Sequence, residues 1–83
     1  MNLVNLIGTV GVVEGRDDAS GVTFQLTTKK ITPNGCVTMT VDCVSSDRLI
    51  RRAIAPYDEV GVEGELSSTY GKIIVVCKNV TII

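Results

Sequence analysis

Thr23, Gln25 and Thr27 occupy alternate positions of one segment, and Thr38 and Thr40 do the same in the next. Alternation at a period of two places each set on a single face of a β-strand. Hydroxyls and amides in such a row bond phosphate or sugar oxygens. Arg16, Lys29, Lys30 and Lys72 border the row, and their charges suit phosphate neutralisation. The same threonines also serve a plain sheet, because cross-strand Thr pairs stabilise it. Tyr70 sits at a turn with Gly71, placed to stack on a base or to pack on its own strand. Histidine is absent and no nucleophile is spaced to meet a base. Asp42, Glu63 and Glu65 take outer strand positions, so no enzyme is expected. The three cysteines, Cys36, Cys43 and Cys77, form no C-x-x-C pair. They are expected as free thiols in a reducing cytoplasm, with no metal and no cofactor.

Five strands and one helix must position these groups. Residues 3–13 make the first strand, apolar on both parities and interrupted by Gly8 and Gly11. Glycine inside a strand marks a bulge or a sharp bend. Leu3, Ile7 and Val13 share one parity; Val4, Leu6, Val10 and Val12 share the other. A strand apolar on both faces is covered on both. Val4, Leu6, Val10 and Val12 are therefore expected at an oligomer interface. Glu14 to Gly21 has turn composition. Residues 22–29 alternate, with Val22, Phe24, Leu26 and Thr28 facing inward. Thr32-Pro33-Asn34-Gly35 is a hairpin turn. Residues 36–44 alternate again, with Val37, Met39, Val41 and Cys43 inward. Over 45–55 the period becomes helical, with Ser45 or Ser46 as cap and Leu49, Ile50, Ala53 and Ile54 as the apolar stripe. Arg48, Arg51 and Arg52 lie off that stripe, on a solvated face. Pro56 stops the helix. Residues 59–67 and 72–83 complete the set. Val60, Val62, Gly64 and Leu66 take the inward parity of the fourth strand.

Composition sets limits on these readings. A chain of 83 residues makes one small domain, 1–83, with a modest core. At 45% hydrophobic it needs either a dense closed barrel or burial against copies of itself. A net charge of −1 leaves no general basic excess, so any affinity for nucleic acid must come from a local patch. No apolar run is long enough to span a bilayer, and no signal peptide is expected.

Three segments resemble the bacterial single-stranded-DNA-binding protein family. Residues 2–11, Asn2-Leu3-Val4-Asn5-Leu6-Ile7-Gly8-Thr9-Val10-Gly11, are similar to its opening strand. Thr23 to Thr28 resembles its N-F-x-L-A-T segment. Val60-Gly61-Val62-Glu63-Gly64-Glu65-Leu66 resembles the strand after its helix. Their order matches over nearly the whole chain. The resemblance implies an all-β fold, a five-stranded OB-fold barrel with one short helix between strands 3 and 4. It also implies sequence-tolerant binding of single-stranded DNA, weak to moderate, in replication or recombination, by a homo-oligomer, dimer or tetramer. The ligand surface would be the face of strands 2 and 3 with its bordering loops. The chain departs from the family at several points. Thr38 and Thr40 stand where the family has a stacking Trp and a basic residue, and Thr9 replaces another basic residue. The last hairpin is short, and the acidic tail is absent, as in a minimal version of the family. These departures keep a second expectation open: a protein–protein interaction module of a primosome or other assembly, with little affinity for DNA.

Overall fold

A computed structural model describes residues 2–15 and 21–83, with the side chain of Lys30 outside that description. Five strands of eleven residues each, β1 Val4–Glu14, β2 Val22–Thr32, β3 Gly35–Ser45, β4 Glu59–Thr69 and β5 Lys72–Ile82, close into a barrel in the order β1-β2-β3-β5-β4. The helix α1, Arg48–Ala53, lies between β3 and β4. All ladders are antiparallel except β3–β5, which is parallel over Asp42–Val44. This is the architecture of an OB-fold. The turn expected over Glu14 to Gly21, with Arg16, falls largely outside the described residues.

β2 and β3 form one ladder in continuous register, from Val22 opposite Ser45 to Thr32 opposite Gly35. Pro33 and Asn34 form the turn, so the Asn-Gly pair is not its centre. Proline at the first turn position supplies the required φ, and the positive φ falls on Gly35 at 131°. The ladder thus runs three residues further along β2 than alternation alone indicates. Only Asp42–Val44 of β3 pairs with β5, so the distal part of the β2–β3 hairpin stands clear of the barrel. Val37 and Met39 keep the inward parity expected of them but are exposed there.

β1 departs from simple alternation. Val10 pairs with Leu26 and Val13 with Phe24, so Gly11 and Val12 together oppose Gln25. This bulge shifts the phase of the strand. Val10 and Val13 both turn inward, while Val12 turns outward. The expected oligomer interface is corrected accordingly. Val10, 1% exposed, belongs to the core of its own barrel, and Val4 and Leu6 are half-buried on the barrel side. Of the four, Val12 alone is exposed. Gly8 serves a different end: a Cβ there would collide with the Thr27 carbonyl oxygen, so the strands approach more closely than a side chain allows.

The core comprises Val10, Val22, Phe24, Leu26, Cys43, Ile54, Val60, Val62 and Val75. Ile54 comes from just beyond α1, and Ile50 packs against the same cluster. Asp47 caps the helix in place of the expected serines, its Oδ1 accepting from Leu49 N at 2.8 Å and Ile50 N at 3.4 Å. Ser45 is buried, and its hydroxyl instead accepts from Asp47 N. The helix is one and a half turns long, so only Ile50 of the expected stripe within it reaches the barrel. Leu49 and Ala53 are exposed. No described helix is long and apolar enough to cross a membrane.

The barrel end opposite α1 is less filled. Val4, Leu6, Met39, Val41, Leu66, Ile73 and Val75 line an apolar opening of about 590 Å³. Leu66 keeps the core parity predicted for it but lies at this mouth, largely exposed. Asn2 ties β4 down beside it: its Nδ2 donates to Leu66 O at 2.7 Å and its Oδ1 accepts from Leu66 N at 3.0 Å. One side chain thereby extends the β1–β4 ladder.

Candidate nucleic-acid interface

Residues directly opposite in an antiparallel ladder share a face. The outer face of β2–β3 therefore carries Thr23 with Val44, Gln25 with Asp42, Thr27 with Thr40, Lys29 with Thr38 and Ile31 with Cys36. Five of the expected contact residues besides Lys29 stand here in one array: Thr23, Gln25, Thr27, Thr38 and Thr40. The hydroxyls of Thr27 and Thr40 lie 3.1 Å apart, joined by a hydrogen bond. Each hydroxyl keeps acceptor capacity for a ligand donor. Thr9 of β1 pairs with Thr27, so the threonine row continues onto a third strand. Glu59 of β4 stands opposite Thr9 and closes that row with a carboxylate.

The cations are unequal. Lys29 lies on the outer face within β2, not in a bordering loop, and is exposed. Lys30 is also a strand residue, its backbone opposite Val37. Arg16 lies outside the described residues. Lys72 begins β5, and its Nζ donates to Asp42 Oδ2 at 2.9 Å. Its positive charge is thus partly cancelled on the very face where it would meet phosphate. Spacing did not reveal this pair, because 30 residues separate the two. The helix arginines Arg48, Arg51 and Arg52 lie on α1 and form no part of this array.

Two tyrosines border the face. Tyr70 and Gly71 are the two loop residues of the β4–β5 hairpin, with φ of 50° and 77°. Positive φ at both positions is the pattern of a type I′ turn, which favours Asn or Gly over Tyr. Tyr70 is fully exposed and lines a groove of about 290 Å³ with Thr23, Asp42, Val44 and Lys72. A second groove, about 340 Å³, shares Thr23, Asp42 and Lys72 and adds Val12, Glu14 and Gln25. A third, about 460 Å³, runs over β1 between Tyr57, Glu59, Thr9, Thr27 and Lys29. Tyr57 is not among the residues that the sequence singles out. The signal that could have marked it is the Pro56-Tyr57-Asp58 turn after the helix.

Cys43 is buried, Cys77 half-buried and Cys36 exposed, and all three are free thiols. A hydrogen bond between Cys43 and Cys77, with burial, pushes the Cys43 thiol well above its ordinary range. The same bond holds Cys77 below it.

The strand order, the closed barrel and the helix position define an OB-fold protein whose β2–β3 face is open and polar. No family model matches this chain, and no curated relative does. Solved structures match it closely in shape. PriB from Ralstonia solanacearum superposes with a TM-score of 0.79 at 12% identity, covering 99% of this chain and 97% of that one. A small single-stranded DNA binding protein from Mycoplasma pneumoniae gives 0.78 at 14% identity, covering 98% and 92%. The N-terminal domain of PriB from Thermoanaerobacter tencongensis, described as dimeric, gives 0.69 at 20% identity, covering 99% and 96%. At such identities the likeness establishes the fold.

Proposed function

We propose that this chain binds single-stranded DNA without strong sequence preference, as a non-enzymatic cytoplasmic protein of replication or recombination. The observation that carries this reading is the outer array of Thr23, Gln25, Thr27, Lys29, Thr38 and Thr40 on the ligand face of an OB barrel. Its likeness in fold to a protein described as binding single-stranded DNA supports it. Threonine hydroxyls and the Gln25 amide contact sugar and phosphate, while Lys29, with Lys30 and Arg16, neutralises phosphates. Few cations and no Trp set a weak to moderate affinity that falls steeply with salt. No cofactor or metal takes part.

The chain acts as a homo-oligomer, dimer or tetramer, in which the apolar opening lined by Met39, Leu66 and Ile73 meets a second copy. An apolar opening of this kind is a poor surface to leave in water. The likeness to a structure described as dimeric favours an oligomer here as well.

Fluorescence polarisation with labelled oligo-dT and a matched duplex, at low and physiological salt, tests the reading. Preferential binding of the single strand is expected. Equal or absent binding at low salt rejects it and favours the protein-interaction module.

A further inference from the structure

We infer that Tyr57 is a base-stacking platform, placed at the opposite border of the ligand face from Tyr70. This rests on the single-strand reading above and adds a residue to it.

Tyr57 has φ of 73°, in the left-handed region. A β-carbon is disfavoured there, and a bulky side chain such as Tyr is a genuine outlier. Such strain persists only where the surroundings enforce it. Here they do. Tyr57 N donates to Val10 O at 2.8 Å and Val10 N donates to Asp58 O at 2.8 Å, which fastens the turn to β1. Ala55 N donates to Asp58 Oδ2 at 3.0 Å and closes it from the other side. The backbone is held by these bonds while Tyr57 as a whole is 89% exposed. Packing therefore does not explain the aromatic. A glycine would relieve the strain, and a ring makes the turn costlier without a folding benefit.

What the ring borders explains it better. The groove beneath it holds Thr9, Thr27 and Lys29 together with Glu59. Lys29 attracts a phosphate and Glu59 repels one. A strand laid on the face accordingly keeps its backbone toward Lys29 and turns a base toward Tyr57. Tyr57 adjoins the β4–β1 side and Tyr70 the β5–β3 side, so the two bracket the face across four inter-strand spacings. At about 4.8 Å each, that is about 19 Å across the strands, to which the offset along them adds, room for a few nucleotides. A π-face accepts any base, which suits sequence-tolerant binding.

The test uses a chain in which Tyr70→Phe leaves Tyr57 as the sole tyrosine. Oligo-dT should quench its fluorescence, whereas an abasic strand of equal length should not. In the otherwise native chain, Tyr57→Gly should weaken oligo-dT binding about 5- to 150-fold, the range that one stacked base supplies. It should leave abasic-strand binding unchanged and raise the melting temperature. Tyr57→Phe should bind like wild type. Unchanged oligo-dT affinity in Tyr57→Gly, or equal losses on both strands, overturns this inference alone. Failure of the wild-type chain to bind oligo-dT at all overturns the parent reading with it.

Discussion

Asp42→Asn should strengthen binding of single-stranded DNA, and the reason lies in a single ion pair. Asp42 holds Lys72 at 2.9 Å on the ligand face, and the lysine side chain is 75% exposed. An exposed pair of this kind contributes about 0–1 kcal/mol to stability, so its loss hardly affects the fold. Its effect on binding is larger. Each phosphate neutralised on a single strand adds about 0.7 to the log–log salt slope. With Lys29, Lys30 and Arg16 as contacts, the wild-type slope should be about −2.1. Freeing Lys72 adds a fourth contact and takes it to about −2.8. Between 50 and 200 mM salt, affinity should then fall about 49-fold in the variant against about 18-fold in wild type. Polarisation titrations with oligo-dT at four salt concentrations resolve that difference. The double variant Asp42→Asn with Lys72→Gln should restore the wild-type slope. An unchanged slope in Asp42→Asn would show that Lys72 does not face the bound strand.

Other perturbations address the fold and the assembly. Gly8→Ala forces a Cβ against the Thr27 carbonyl and should cost about 1–3 kcal/mol in chemical denaturation, the usual range for overpacking. Val10→Asp should prevent folding, because Val10 is core, whereas Ile73→Asp at the barrel mouth should leave the fold intact and dissociate the oligomer. A wild-type monomer at micromolar concentration in sedimentation equilibrium would remove the oligomer proposal. The Cys43 thiol keeps its proton in the folded chain above pH 9.0, where an unfolded thiol loses it. Its contribution is therefore complete below pH 9.0 and declines above it. The opposite, downward shift of Cys77 acts below pH 9.0, where it makes stability rise with pH, so it leaves the decline above 9.0 to Cys43. Denaturant melts across pH 8–11 should show a shallower decline in Cys43→Ala. Alkylating reagents should label Cys36 first, and Cys43 only after denaturation.

The elements that alternation and punctuation specify were legible. Val22, Phe24 and Leu26 fall inward and Thr23, Gln25 and Thr27 outward, because a half-buried strand has no other way to hide three large side chains. What the periodicity could not convey was a change of phase. Gly11 signalled the bulge, but not that Val13, rather than Val12, would follow Val10 into the core. Val4, Leu6 and Val10 share the inward parity ahead of the bulge, so the face expected to meet another subunit is the one that lines the strand's own barrel. The length of the β2–β3 hairpin was also hidden, because Val37 and Met39 look like core residues until the barrel is seen to end before them. Asp42–Lys72 and the Tyr57 turn depend on which strands become neighbours, and local composition is silent on that.

Binding of single-stranded DNA on the outer face of β2–β3 underlies the proposed function. Titrating the 15N-labelled chain with oligo-dT and following amide shifts tests it directly. The largest shifts should fall at Thr23, Gln25, Thr27, Lys29, Thr38 and Thr40, with α1 and the apolar mouth unchanged. Shifts confined to Arg48, Arg51 and Arg52, or to Met39, Leu66 and Ile73, would contradict it.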